Sequence, residues 1–281
     1  MNDEFTAQAF YSAYEKYSAL FGEKKSYPQK ACLVQNITST NTILLEQLSN
    51  AKNVQDLDGT LLAAAEQTQG RGRQGRVFYS PNTTGLYFSL IYSRSEEIED
   101  VSFCTAGAAV AISRAIENVC HAEAKIKWVN DIYVRGKKVS GILTEGFLPN
   151  GASKLQAVVI GIGINLILDT HGNENLLQNA GGIFTQKSEC QIARTELLAA
   201  SVYELQNALS FPQKTLLEYK NRSILIGKEI LVTPLAGVSQ QSYPATVLDI
   251  TEDAGLLVQL SDKSQKVLHS GEVSLHNNRF S

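Results

Sequence analysis

The sequence predicts an α+β fold in which a larger domain of helices and antiparallel strands is followed by a small β-barrel. Three observations predict it. Residues 101–120 and 193–209 carry apolar side chains at helical spacing. Between these stretches lie three apolar runs, 125–134, 139–147 and 155–168, and the turns at Arg135-Gly136 and Pro149-Asn150-Gly151 are short enough to join adjacent antiparallel strands. After about residue 223 the texture changes to brief β-type runs, 229–232, 245–250, 256–260 and 266–269, broken by glycine and polar turns, which is the pattern of a small barrel.

Taken in order, Phe10, Tyr14, Tyr17 and Phe21 recur at helical spacing, so residues 6–22 form an amphipathic helix within an N-terminal extension, residues 1–30. Ser39-Thr40-Asn41 precedes Leu44, Leu45 and Leu48, the signature of a helix entry capped by a hydroxyl side chain. Residues 60–66 and 86–92 have the apolar content of strands, and the loop between them carries four glycines and a proline. Val110, Ile112, Ile116 and Val119 mark a buried helix, and Leu197, Leu198, Val202, Leu205 and Leu209 mark another. The larger domain is assigned to residues 31–223 and the small one to 224–281.

Composition narrows the classes of function. The 281 residues suffice for one large and one small domain without disulfide or metal staples. With 25 Lys and Arg against 28 Asp and Glu the formal net charge is -3, which argues against a chain that binds nucleic acid by overall charge. Cys32, Cys104, Cys120 and Cys190 form no CxxC pair, which removes zinc-ligand spacing and predicts free thiols in a reducing compartment. The first residues lack the basic and apolar regions of a signal peptide. The longest apolar run, 155–168, is interrupted by Gln156 and Asn165 and is too short to span a bilayer. A cytoplasmic protein with no membrane partner is expected.

Three segments carry chemistry. Residues 70–76 place Arg71, Arg73 and Arg76 among Gly70, Gly72 and Gly75. Glycine lets backbone N–H groups approach an anion and arginine brings forked, permanently charged donors, so the loop suits a phosphate or a carboxylate. A solvated basic turn and an RGG-like nucleic-acid contact are the alternatives. Residues 127–131, Lys127-Trp128-Val129-Asn130-Asp131, set a cation, the single tryptophan, an amide and a carboxylate inside an expected apolar strand. Such charges are costly unless paired or facing a polar cavity. Strand alternation puts Lys127, Val129 and Asp131 on one face with the two charges about 13 Å apart, so a bulge or a shared ligand is expected rather than a direct pair. Residues 158–165 place Gly161 and Gly163 on one face of an apolar strand, leaving room for a flat group. The third glycine of a dinucleotide fingerprint is missing, because Leu166 stands in its place. Lys138 opens the strand at 139–145 and reads as a protective charge at a strand end. No serine-nucleophile elbow, HExxH or phosphate-loop motif is present, and His121, His171, His269 and His276 are scattered.

In this order, the segments at 70–76, 127–131, 136–145 and 158–165 resemble the catalytic core of biotin protein ligases over about residues 33–210, and the β region after 223 resembles their SH3-like C-terminal domain. The resemblance implies a central mixed sheet, shared with lipoate ligases, and a two-step reaction. Biotin and MgATP give biotinoyl-AMP, and a lysine of a biotin carboxyl carrier domain of a carboxylase then attacks it.

Position by position, the resemblance assigns Ser39, Thr40, Asn41 and Gln67 to biotin, with Arg71, Gly72, Arg73, Lys138, Gly141 and Gly163 also touching it. It assigns Arg73, Arg76, Phe78, Asn130, Lys138 and Asn165 to the nucleotide, and Lys138, Arg71 and Asp131 to catalysis. No side chain is assigned to a metal; magnesium is expected with ATP. Phe78 stands where the family commonly has tryptophan, which keeps a stacking face and loses an N–H donor, and Val129 stands for a proline. Gln74 replaces a frequent arginine. About 30 residues precede the core, too few for a winged helix-turn-helix, so no DNA partner is expected, and a homodimer stays open. A lipoate or octanoate ligase, a non-catalytic adenylate sensor and an RNA-binding module are the rival readings.

Overall fold

The computed structural model describes residues 4–21, 28–82, 84–98, 101–149, 151–168, 180–234 and 241–275. The helix at the N-terminus is α1, Ala7–Ala19, opened by Thr6, whose hydroxyl accepts the Ala9 N–H at 3.2 Å. It is followed by β1 (Lys30–Ile37), α2 (Thr40–Ser49), β2 (Thr60–Gln67), β3 (Gly85–Ile98) and α3 (Ser102–Cys120). Then come β4 (Lys125–Lys127), β5 (Asp131–Val134), β6 (Lys137–Phe147), β7 (Leu155–Asn165), α4 (Arg194–Ser210) and α5 (Pro212–Asn221). The chain continues as β8 (Glu229–Thr233), β9 (Tyr243–Ile250), β10 (Leu256–Leu260), β11 (Gln265–Leu268) and β12 (Glu272–Leu275).

Two sheets result. The larger has seven strands in the order β1-β2-β3-β7-β6-β5-β4 and is mixed, because β1 pairs parallel with β2 while the remaining neighbours are antiparallel. The runs expected to be antiparallel neighbours lie side by side as β5, β6 and β7. The smaller sheet is antiparallel, β11-β10-β9-β8-β12, and fits an SH3-like domain, but among the described residues no ladder joins β11 to β12, so the expected barrel is not closed.

Several sequence expectations are corrected. Residues 125–134 are not one strand: residues 128–130 form a turn, and β4 and β5 fold back on each other. Lys127 therefore stands opposite Asp131 in register, so the separation of about 13 Å expected along a continuous strand does not exist. The run at 155–168 stops as a strand at Asn165, and the one at 86–92 continues to Ile98. Lys138 does stand at the start of its strand, but β6 lies between β5 and β7, so it has no open sheet edge to protect. Three elements had no visible signal. In β1 the side chains are only partly covered, so no clean alternation marks it; α5 is announced only by Pro212 at its first turn; β12 is four residues long. His171, His276 and Asn150 lie outside the described residues.

The two faces of the large sheet have different work. On one face Phe88, Leu90, Ile142, Ile160, Ile162 and Ile164 join the alanine-rich α3 and the apolar stripe of α4 in the main core. The small side chains of α3, Ala106, Ala108, Ala109 and Ala111, are fully buried. On the other face α2 packs Leu44 and Leu48 against Leu62, Ile91 and Val159, leaving the rest of that face open. The N-terminal helix rests on α4, with Tyr14 and Tyr17 at 6.3 and 5.4 Å from the Tyr203 ring.

An ion network ties α3, α4 and α5 together. Arg222 bridges Glu117 at 2.6 Å and Glu218 at 2.9 Å, and Arg114 pairs with Glu204 at 3.4 Å and with Glu218. Burial pushes the Glu117 and Glu218 carboxyls up, but the hydrogen bonds from Arg222 and Arg114 outweigh it and leave both below the ordinary range. A carboxylate lowered on folding contributes stability above its unfolded pKa and loses it as pH falls through the folded one. Denaturant midpoints measured from about pH 7 to about pH 3 are expected to fall across the carboxylate range, and Arg222→Met flattens that fall. Parallel profiles for the two proteins would show that the network carries none of the acid sensitivity.

Candidate functional site

Cross-strand register assembles the floor of a cleft on the open face. Lys127 stands opposite Asp131, Asp131 opposite Gly141, Gly141 opposite Gly163 and Gly163 opposite Tyr87, one row across β4, β5, β6, β7 and β3. Residues directly opposed across strands share a face, so the cation and the carboxylate stand beside two glycines that contribute no side chain. The next row sets Leu143 opposite Gly161 and Gly161 opposite Ser89.

A bulge delivers Lys138 to the same face. Lys138 and Gly141 are three positions apart, which in a regular strand would point them to opposite faces. The β5–β6 register shifts between Ile132 and Tyr133, the extra residue reverses Lys138, and its ammonium meets Asp131 Oδ1 at 2.6 Å.

Sequence alternation had left space for a flat group beside the glycines, and two flat groups of the chain itself use it. A Cβ on Gly163 would lie 2.4 Å from the Phe78 ring and one on Gly141 3.3 Å from it, so that ring lies across both glycines. A Cβ on Gly161 would lie 2.0 Å from Asn41 Oδ1. Asn41 enters at the start of α2, where Ser39 caps the helix by accepting the Thr42 N–H at 3.5 Å.

The amide of Asn41 is oriented by its partners. Nδ2 donates to Leu143 O at 3.1 Å and to Glu145 Oε2 at 2.8 Å, and Oδ1 lies 2.5 Å from the buried Ser89 hydroxyl. Ser89 is also 2.6 Å from Thr40 Oγ1, and Gln67 Oε1 accepts from the Thr40 N–H at 2.9 Å. Gln67 Nε2 donates to Ser80 at 3.1 Å.

Residues 70–78 fold back on themselves above this floor. Gly72 donates to Arg76 O at 2.7 Å and Phe78 to Gly70 O at 2.9 Å, and a turn at Arg73–Gly75 reverses the chain with Gly75 at φ 73°. Each arginine has its own partner. Arg71 forms a fork with Glu145, with N–O distances of 2.8 and 3.1 Å; Arg76 pairs with Glu272 of β12; and Arg73 donates to Asn130 Oδ1 at 3.1 Å. Among the described residues, Arg73 and Lys127 are the cleft cations with no carboxylate within ion-pair distance. Burial lowers the pKa of both, with Asp131 opposing the effect in each case.

The cleft has a cavity volume of about 210 Å³ and opens to solvent. It is lined by Ser39, Thr40, Asn41, Gln67, Arg71, Gly72, Arg73, Arg76, Phe78, Asn130, Asp131, Lys138, Gly141 and Gly163, residues singled out from the sequence that the fold brings together. Asn165 is not among its lining residues; it ends β7 and its carbonyl accepts the Ile183 N–H at 3.0 Å. Sequence reasoning passed over Lys127 and Glu272, which line the cleft, and Ser89 and Glu145, which do not line it but bond to Asn41 and Arg71, which do. Glu145 was accessible to it, since it follows Gly141 by four in a strand and so shares its face. Glu272 was not, because the C-terminal sheet supplies it together with Gly271 and Val273. That sheet is joined to the cleft by Trp128, whose indole N–H donates to Ala254 O at 2.9 Å, while the Tyr219 hydroxyl fixes Val129 O at 2.8 Å. Among the described residues no group of three or more His, Cys, Asp or Glu side chains could hold a metal ion, and no helix is long and apolar enough to cross a membrane.

Fold and site together define an α+β ligand-binding domain with a cationic, flat-floored cleft suited to an anion that carries a planar part. Residues 33–165 match the biotin/lipoate A/B protein ligase family. It is 33% identical over 178 residues to the bifunctional ligase/repressor BirA of Bacillus spizizenii, covering 63% of this chain and 53% of that protein. It is 27% identical over 248 residues to the biotin--[acetyl-CoA-carboxylase] ligase of Mycobacterium tuberculosis, covering 84% of this chain and 86% of that one. The fold is similar to the biotin protein ligase of Aquifex aeolicus solved in complex with biotin and ATP, with a TM-score of 0.70 and 25% identity over 88% of this chain and 98% of that one. The chain spans about half the length of the BirA proteins it matches, 43% to 56%.

Proposed function

We propose that the chain joins biotin to ATP as biotinoyl-5'-AMP and passes the biotin to a lysine of a biotin carboxyl carrier domain, in the cytoplasm. The observation that carries this reading is the joining in one cleft of two cations that have no ion-pair partner among the described residues, Arg73 and Lys127, with a polar recess built from Thr40, Asn41 and Gln67. The named relatives support the choice of acid. In the first step a carboxylate oxygen attacks the α-phosphate, so two anions must approach. Arg73 and Lys127 supply positive charge where negative charge gathers, and Arg71 and Lys138, each balanced by a carboxylate, orient rather than neutralise. Phe78 and the glycines Gly141 and Gly163 give the flat wall, Arg76 and Asn130 border the nucleotide end, and Ser39 and Gln67 border the ring of the acid. The cleft carboxylates Asp131 and Glu272 are each already paired with a cation, so magnesium bound with ATP would be held by the phosphates and would neutralise their charge.

ATP–pyrophosphate exchange with purified protein, compared for biotin, lipoate and octanoate, tests the first step. Exchange with biotin alone is expected; dependence on lipoate would reassign the acid, and no exchange with any acid would sink the reading.

In the second step the acceptor lysine must be a neutral amine, and with a reference pKa near 10.4 only about one in a few thousand is neutral at pH 7. Asp131, in the floor row and 2.6 Å from Lys138, is placed to orient that amine and take its proton. Asp131→Asn is expected to slow transfer from purified biotinoyl-AMP by at least about 100-fold. Transfer at the parent rate would remove Asp131 from that role.

A further inference from the structure

We propose that Glu145 is a positioning residue for the acid substrate, setting both the reach of Arg71 and the direction of the hydrogen bonds that line the acid's recess. The inference rests on the adenylating reading above and adds to it a residue that neither the sequence motifs nor that reading assigned.

The argument is one of proton accounting. Both carboxylate oxygens of Glu145 are used: Oε1 accepts from Arg71 Nη2 at 2.8 Å, and Oε2 accepts from Arg71 Nη1 at 3.1 Å and from Asn41 Nδ2 at 2.8 Å. Because an ionised carboxylate only accepts, Asn41 must turn its NH₂ toward Glu145, and its second amide proton goes to Leu143 O at 3.1 Å. Asn41 Oδ1 is thereby aimed at Ser89, 2.5 Å away, and Ser89 must donate to it. A serine hydroxyl has one proton, so a Ser89 that donates to Asn41 cannot also donate to Thr40 Oγ1, 2.6 Å away, and the single Thr40 hydroxyl proton lies within reach of Gln67 Oε1 at 3.1 Å. Gln67 Oε1 stays satisfied by the Thr40 N–H at 2.9 Å. The charge on Glu145 therefore dictates which way the protons point from Arg71 through Asn41 to Ser89, and Arg71, Asn41 and Thr40 line the cleft.

A merely structural carboxylate would be expected to stiffen the strand alone. Here the two direct partners, Arg71 and Asn41, come from residues 70–76 and the start of α2 and both line the cleft, and Asn41 carries the contact on to Ser89 of β3. Replacing the charge with an amide of the same shape, Glu145→Gln, puts an NH₂ against either Arg71 or Asn41 Nδ2. One donor then faces another, and the relief is to flip Asn41 and reverse the chain of hydrogen bonds.

The test measures Michaelis constants for biotin and for ATP in pyrophosphate exchange, with titration calorimetry of each ligand, on the full chain. Glu145→Gln is expected to raise KM and Kd for biotin about 10- to 100-fold while KM for ATP and the thermal midpoint stay near the parent values. Glu145→Asp, which keeps the charge but reaches fewer partners, is expected to fall between the two. Unchanged biotin affinity in both variants, or an equal loss for biotin and ATP, overturns the proposal. If the parent protein itself exchanges with lipoate or with no acid, it is the adenylating reading for biotin that fails, and the proposal falls with it.

Discussion

Replacing Arg73 with alanine is expected to lower biotin-dependent pyrophosphate exchange by about 10²- to 10³-fold, the largest loss for any single arginine of the loop. The three arginines look alike in sequence, and their surroundings separate them. Arg76 has a side chain 65% exposed and is balanced by Glu272; Arg71 is 45% exposed and balanced by Glu145. Arg73 is buried further, makes its hydrogen bond to the neutral amide of Asn130, and meets no carboxylate among the described residues. Its charge is less screened by water than that of the other two and has no ion-pair partner among the described residues, so it is the one an incoming phosphate would feel most strongly. Arg76→Ala is expected to cost less than about 10-fold, because a solvent-facing ion pair contributes little. Equal losses in the two variants would mean that the loop acts as a generic basic turn.

The second large effect is expected at Gly163. A single methyl group there would lie 2.4 Å from Cε1 and 2.6 Å from Cζ of Phe78, and the ring must leave the floor. It can only rise into the cleft, since β7 lies beneath it and Tyr87 stands edge-on at 6.3 Å. Overpacking of this kind costs about 1–3 kcal/mol. Felt at the mouth of a binding site, it is expected to lower kcat/KM for Gly163→Ala about 10- to 100-fold, with a thermal midpoint that moves little because the displaced ring faces open space. Gly75→Ala is the contrast: nothing lies within 4 Å of its Cβ, but its φ of 73° is a strained position for alanine, so a stability loss is expected to exceed any kinetic one. Parent-like kinetics for Gly163→Ala would show that Phe78 does not form the floor used by ligand.

Much of the architecture was legible before any coordinates. The helical periodicities at 101–120 and 193–209 and the short turn at Arg135-Gly136 specify helices and hairpin strands through local rules alone. Alternation within 158–165 was enough to place Gly161 and Gly163 on one face and to imply a flat occupant. What failed was the reading of 125–134, where apolar content continued through a reversal of the chain. The turn at 128–130 is held from outside, by Ala254 on the indole of Trp128 and by Tyr219 on Val129 O, and no local pattern encodes partners about 90 or more residues away.

By itself, then, the sequence determined which residues carry charge, where glycines open a strand face, the main helices and strands, and the order of motifs on which the resemblance rests. Tertiary structure alone decided which charges cancel. The bulge that turns Lys138 onto Asp131, the row that sets Lys127 opposite Asp131, and the pairing of Arg71 with Glu145 and of Arg76 with Glu272 all depend on register between strands and on docking of the second sheet. The reason is physical: a side chain's identity and its face are local properties, whereas the field it exerts depends on the dielectric and the counter-charges within a few ångströms, which only the folded chain brings together.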